Sequence, residues 1–312
     1  MQEIDLLILG AGWTSTFLVP LLQSSSLTYA LTTTDGRSAG SDNTIRFKYD
    51  PSAEDQSYFA SLPAARYVLV TFPVKGTADA NKLVDSYVDT HPRVAESVRW
   101  IVLGSTGIWQ KGSRYTGVEK TSDAGSRQRT EESHWLDRYS PYDRENERAI
   151  AEEAYLGRGA LVLNLSGLWD GEKRDPKNWV ERVATTKEAV EGKTSLHMVH
   201  GVDVGRALLA IVQAWEKDRG TDECKRVHGQ RWMLTDGFVY DWWALFAGWA
   251  DVGSSSEVAG QPQPSKQSQW VYELMNETGV KALPRSVEQL GRCYDSREFW
   301  TTFGLGPLKA RI

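Results

Sequence analysis

A chain of 312 residues with 40% apolar and 25% charged side chains can build one large α/β domain, or a nucleotide-binding domain with a smaller lobe. That composition is not the composition of a disordered chain. The net charge is −5 and no long basic run occurs, so neither nucleic acid nor an anionic membrane is an expected partner.

The opening Met1-Gln2-Glu3-Ile4-Asp5 lacks the basic start and apolar core of a secretory signal. No stretch reaches the roughly 18 uninterrupted apolar residues of a membrane helix. A cytoplasmic protein is expected, and Cys224 and Cys293 then read as free thiols. Ile4 to Leu9 is an apolar run ending in Gly10-Ala11-Gly12, the pattern of a buried parallel strand. Thr14 to Gln23 carries Phe17, Leu18, Leu21 and Leu22 at helical spacing, with Pro20 assigned to the first turns. Strands are read at Thr28 to Thr34, Thr44 to Tyr49, Tyr67 to Phe72, Trp100 to Leu103 and Leu161 to Leu165. Helices are read at Asp79 to Thr90 and Arg144 to Leu156. Residues 110 to 140, rich in Ser, Arg, Glu, Thr and Gly, read as a long surface loop of the lid or binding-loop kind.

Further on, His197 to Val204 and Arg231 to Leu234 read as short strands, with a helix at Arg206 to Trp215 between them. Gly253 to Gln269 reads as a loop, and the last element falls near Glu298 to Phe303. Strands alternating with helices imply a doubly wound parallel sheet with right-handed crossovers. The expected division is a Rossmann-type domain over 1–167, with a later strand near 230–235. Residues 168–312 then form mainly a smaller C-terminal substrate lobe closing over the cleft. Six of the thirteen tryptophans fall between Trp215 and Trp270; core is the preferred reading for them, a flat pocket the other.

Gly10-x-Gly12-x-x-Ser15 follows a strand and opens a helix. Gly10 permits the tight turn, Gly12 lets backbone approach a pyrophosphate, and Ser15 is small enough for helix–strand packing. The helix N-terminus supplies N–H groups and partial positive charge. Gly10, Gly12, Trp13, Thr14 and Ser15 are therefore assigned to a dinucleotide cofactor. The second strand ends in Thr32-Thr33-Thr34, with no carboxylate for ribose hydroxyls, and Arg37 follows. Thr34 with Arg37 suits a 2′-phosphate and favours NADP over NAD. Asp35 opposes this; the alternative makes Asp35-Gly36 a surface turn and Arg37 a solvated charge. Phe72-Pro73 and Ser105-Thr106 close the fourth and fifth strands at the sheet edge where such folds bind ligands.

These residues resemble the extended short-chain dehydrogenase/reductases, in particular the atypical branch that is NAD-dependent epimerase/dehydratase-like. The likeness runs from Leu7-Ile8-Leu9-Gly10-Ala11-Gly12 through Leu103-Gly104-Ser105-Thr106-Gly107 and Arg148-Ala149-Ile150-Ala151-Glu152. It continues in Leu163-Asn164-Leu165-Ser166-Gly167-Leu168-Trp169 and His200-Gly201-Val202-Asp203-Val204. The resemblance implies that Ser105, with Thr106 beside it, binds a substrate carbonyl or hydroxyl. It also implies a Tyr-x-x-x-Lys pair, which is missing: no tyrosine has a lysine four residues on. Aligned on Glu152, Arg148 takes the lysine's place and Arg144 the tyrosine's. Arg148 can hold a ribose or phosphate but is a poor proton shuttle. Tyr142 and Tyr139 remain as displaced acids, or as aromatic anchors at a helix start.

His197 and His200 lack the third ligand of a metal site, and no metal is expected. The leading expectation is an NADP(H)-dependent oxidoreductase, or an epimerase/dehydratase using bound cofactor, on a small organic carbonyl or alcohol substrate. Two rivals stand beside it: a non-catalytic NADP(H) sensor, and a cofactor-independent isomerase on the same fold.

Overall fold

The computed structural model describes residues 3–40, 43–110, 135–217, 227–251 and 263–312. Six residues, Ile4–Leu9, form strand β1, and all but the first are buried. Leu6 and Ile8 face one core cluster while Leu7 and Leu9 face another, so both sides of the strand are covered. That is why β1 reads as a continuous apolar run rather than an alternating one. Each such side chain contributes about 1.5–3 kcal/mol by leaving water.

Helix α1 follows at Trp13–Gln23, then β2 at Tyr29–Thr33, β3 at Thr44–Arg46 and β4 at Ala65–Val70. Next come α2 at Gly76–Thr90, β5 at Arg99–Ser105, α3 at Glu147–Gly157 and β6 at Leu161–Leu165. After α4 at Gly201–Lys217, β7 at Arg231–Leu234 completes the sheet. The sheet is parallel throughout, in the order β7-β6-β5-β4-β1-β2-β3. This is the doubly wound order, with its switch point between β1 and β4. Helices α1 and α4 pack together under one face, and α2 and α3 under the other.

Several local readings need correction. Pro20 is not in the first turns of α1 but well inside the helix. Both Pro20 and Thr16, whose carbonyl loses its helical partner, are exposed, which leaves that turn open to solvent. The third strand stops at Arg46; the Phe47 N–H still donates to the Thr33 carbonyl at 2.9 Å, and its side chain is buried in the second cluster. Ser265 caps a helix, α6, at Lys266–Thr278, whose first turn lies inside what reads as loop. The earlier part of that loop, and residues 111–134 of the expected lid, lie outside the described residues, as does Cys224.

Helix α6 packs on α5, Trp242–Gly248, in a third cluster built on Trp242, Trp243, Phe246 and Trp249. Trp215 and Trp232 belong to the first cluster and Trp270 packs on the third. The tryptophan-rich stretch is therefore core. A buried pair, Arg285 Nη2 on Asp241 Oδ1 at 2.7 Å, pins the third cluster, and the guanidinium stacks 4.0 Å from the Trp243 ring. Cys293 is free and buried. No helix among the described residues is long and apolar enough to cross a membrane.

Candidate functional site

The carboxyl ends of β1, β2, β4, β5 and β6 open into one cleft of about 480 Å³. Its floor is the turn after β1. Gly10 has φ +90°, and a Cβ there would stand 2.8 Å from Thr71 Oγ1 and 2.9 Å from Phe72 Cδ1. Only glycine fits that turn. Gly12 caps α1 with no side chain closing the helix end, and a Cβ at Gly12 would meet nothing within 4 Å. An uncapped helix N-terminus thus faces open space, the arrangement that receives a phosphate.

The structure brings together most of the sequence-selected residues. Gly10, Gly12, Trp13 and Thr14 line the cleft on one side. Thr34 and Arg37 line it at the end of β2, Phe72 and Pro73 at the end of β4. Ser105 and Arg148 line it at the end of β5. Ser15 does not: it sits inside α1, 2% exposed, where a small side chain lets helix and strand approach.

At β2, Asp35 accepts the Arg37 backbone N–H at 3.2 Å, and its carboxylate lies 3.7 Å from the Arg37 guanidinium. Those bonds hold the Asp35 carboxyl below its ordinary range, the backbone N–H first among them. Asp35-Gly36 is thus a surface turn, as in the alternative reading, yet Arg37 still reaches the cleft wall. Beside it, a second cavity of about 440 Å³ is walled by Phe47, Tyr49, Phe72 and Val74, with Lys48 and Lys75 at its margin. Tyr49 and Phe72 stack across it, centroids 6.2 Å apart.

Ser105 plays two parts. Its Oγ accepts the Gly107 N–H at 3.1 Å, capping the short turn Thr106–Trp109, and it still lines the cleft. Thr106 is buried, and its carbonyl accepts the Tyr294 hydroxyl at 3.0 Å. Tyr142 also lies away from the cleft lining; its hydroxyl donates to Glu153, and the Arg231 guanidinium covers its ring at 4.4 Å. Burial pushes the Tyr142 phenol up, opposite to what an acid–base tyrosine needs. Tyr139 is exposed, its hydroxyl 3.0 Å from Glu298.

Behind β5, Glu152 is 3% exposed and binds Asn164 Nδ2 at 2.9 Å, with Arg231 Nη2 at 3.2 Å. Burial raises its carboxyl, and Arg231 opposes that. This node anchors α3, and so Arg148, against β6 and β7. His200 accepts the Val202 N–H at 3.1 Å and packs edge-on against Trp169, while His197 accepts the Tyr294 N–H at 3.0 Å. Both are tied into local structure. No cluster of three metal-ligating side chains occurs among the described residues.

Sequence reasoning missed Arg174, Ser166, Phe47 and Tyr49. Phe47 and Tyr49 stand in the alternating run read as a strand. Ser166 lies in a motif that carried the resemblance, but nothing in the pattern tells that it faces the cleft. Arg174 sits in a polar turn without periodicity.

No protein-family model matches this sequence, and no curated protein matches it. Solved structures do match over nearly the whole chain. A nucleoside-diphosphate-sugar epimerase from Staphylococcus aureus is 12% identical, with 98% of this chain and 98% of that chain covered and a TM-score of 0.53. The epimerase Mth375 of Methanothermobacter thermautotrophicus is 12% identical, with 99% and 89% covered and a TM-score of 0.52. MoeE5, solved in complex with UDP-glucose and NAD, is 15% identical, with 98% and 94% covered and a TM-score of 0.51. The chain therefore has the Rossmann-type α/β fold of these structures.

Proposed function

We propose that the chain is an enzyme of the epimerase or oxidoreductase kind that binds a nicotinamide dinucleotide, NADP(H) in preference to NAD(H). The observation that carries this reading is the uncapped N-terminus of α1 facing open space at Gly12, above a turn only glycine fits. The pyrophosphate sits there, held by backbone N–H groups and the helix dipole. The aromatic cavity of Phe47, Tyr49 and Phe72 takes the adenine. Arg37 and Thr34, both at the cleft wall, take the 2′-phosphate, and Asp35 is tied up in its own turn. The similar solved structures include an epimerase and a complex with NAD, which supports the same class.

The cofactor supplies the hydride chemistry when bound. The chain's own residues orient the reaction. Ser105 presents its hydroxyl at the end of β5, where it meets a substrate carbonyl or alcohol. Arg148 stands where related enzymes place lysine, and its guanidinium holds charge without moving protons. From the C-terminal part of the chain, Leu168 and Arg174 reach the cleft wall.

The test is a titration with NADPH and NADH followed by tryptophan fluorescence. Trp13, at the cleft, reports occupancy. Binding of NADPH tighter than NADH, with the difference abolished in Arg37→Gln, is the expected outcome. Binding of neither nucleotide sinks the proposal. A panel of carbonyls and alcohols, read by nicotinamide absorbance with Ser105→Ala as control, then separates enzyme from sensor.

A further inference from the structure

The charges around the cleft are unbalanced. Its lining holds three arginines, Arg37, Arg148 and Arg174, and no carboxylate. Arg37 has Asp35 at 3.7 Å. Arg148 and Arg174 have no ion-pair partner among the described residues. A dinucleotide satisfies the helix N-terminus with its pyrophosphate and Arg37 with its 2′-phosphate. Those two contacts leave the guanidiniums of Arg148 and Arg174 unaccounted for.

Their supports differ. Arg148 projects from α3, one residue beyond Glu147, which pairs with Lys75 at 2.9 Å. Arg174 belongs to the turn after the short strand Gly167–Trp169. Asp170 organises that turn: it accepts the Arg174 N–H at 2.8 Å and the Trp13 Nε1–H at 2.6 Å. The Arg174 guanidinium then lies 4.4 Å from the Trp13 ring centroid. A ring face holds a guanidinium in place while leaving its in-plane N–H donors unspent.

A second observation comes from Ser166. This residue is 6% exposed and lines the same cleft, and its Oγ has no hydrogen-bond partner among the described residues. A buried hydroxyl without a partner costs free energy unless a ligand supplies one.

We propose that the end of the cleft between α3 and the 170–174 turn binds an oxyanion of the substrate, a carboxylate or a phosphate. Arg148 and Arg174 clamp it from two sides and the Ser166 hydroxyl donates to it. The substrate is then an acid or phosphoester whose carbonyl or alcohol lies at Ser105. This rests on the dinucleotide reading above, since it is the cofactor that accounts for the other charges.

The experiment uses the full chain saturated with NADPH, at constant ionic strength. Malonate, inorganic phosphate and neutral malonamide are titrated, with thermal unfolding and bound-nucleotide fluorescence as readouts. One of the two anions raises Tm saturably, which tells carboxylate from phosphate; malonamide does not. Arg148→Gln and Arg174→Gln each weaken that anion about tenfold or more, the worth of a charge-assisted hydrogen bond; Arg174→Gln leaves NADPH affinity within about threefold. Arg174→Lys keeps the charge over Trp13 and loses the fork, so its loss is smaller. No response to either anion with NADPH bound overturns the proposal. So does a tenfold loss of NADPH affinity in Arg174→Gln with the anion response unaltered. If NADPH itself does not bind, the anions are titrated on the free protein. A response lost in both variants then keeps the anion site and removes the dinucleotide reading; no response removes both.

Discussion

The parallel sheet and the cluster around α5 and α6 hold themselves together by different means. In the sheet, β1, β4 and β6 are covered on both faces, and their stability comes mainly from buried apolar side chains, with Asp5, Arg66 and Asn164 the polar exceptions. In the α5–α6 region, tryptophans supply the volume, but the geometry is set by buried polar groups. Asp241 is fully buried under Arg285, which also donates to the Lys193 carbonyl at 2.7 Å. Nearby, His197 is 4% exposed and tied to the Tyr294 N–H. Burial strength is spread over many side chains, so the sheet tolerates single losses. A few buried pairs concentrate strength, so the α5–α6 region and its neighbours are brittle.

The sharpest way to break that comparison is Arg285→Leu. It strands the Asp241 carboxylate without its partner, and removing one member of a buried pair costs about 3–5 kcal/mol. Asp241 also accepts the Trp243 N–H at the start of α5, so Asp241→Leu with Arg285→Leu recovers only part of the loss. Urea unfolding of the two variants measures both numbers. A cost below about 1 kcal/mol for the single variant, the size of an exposed pair, would show that the pair is not what holds this region.

A second test is acid. Burial, with the Arg292 charge adding to it, drives the His197 imidazole down to about 3. The unfolded chain binds that proton near pH 6.5 and the folded chain does not, so the stability His197 permits is complete above pH 6.5 and lost as pH falls toward 3. Between pH 7 and pH 4 the loss is on the order of 3 kcal/mol. His197→Gln removes it, and the difference between the two proteins isolates it from His200 and from Asp236. Burial lifts the Asp236 carboxyl to about 6, so its contribution runs the other way, falling as pH rises between about 4 and 6. Equal acid slopes in wild type and His197→Gln would place the acid sensitivity elsewhere.

The same contrast explains what could be read from the sequence. β1, the glycine turn and α1 are legible because each rests on neighbours in the chain: an apolar run, two glycines, a helical repeat. The order of strands follows, and with it the edge where Gly12, Phe72 and Ser105 meet. Arg174 was not legible, because its place depends on Asp170 holding Trp13 from 157 residues away. Nor was the pairing of Asp241 with Arg285, 44 residues apart and in no repeat. Helix α6 has the marks of one, Ser265 before it and Gly279 in the left-handed conformation after it. Its polar, glycine- and proline-rich approach hides its start. Thr106 and Tyr142 stand next to matching motifs, and position in the chain does not say which way a side chain turns.

The mildest prediction in free energy separates folding from binding within the sheet region itself. Gly10→Ala forces φ +90° on a residue with a Cβ and drives that Cβ against Thr71 and Phe72. The cost is about 1–3 kcal/mol, with dinucleotide binding lost alongside. Gly12 has φ −112° and open space around it, so Gly12→Ala costs at most about 1 kcal/mol, mostly through a poorer helix cap. On the proposed reading the pyrophosphate fills that space, and a methyl group there would take its place. Gly12→Ala is therefore expected to fold and unfold almost as the wild type does, by urea and by circular dichroism, while NADPH affinity falls at least tenfold by fluorescence. A variant that keeps its affinity would mean that the space above Gly12 is not where phosphate binds. A variant that loses stability like Gly10→Ala would mean that the two glycines serve the fold alone.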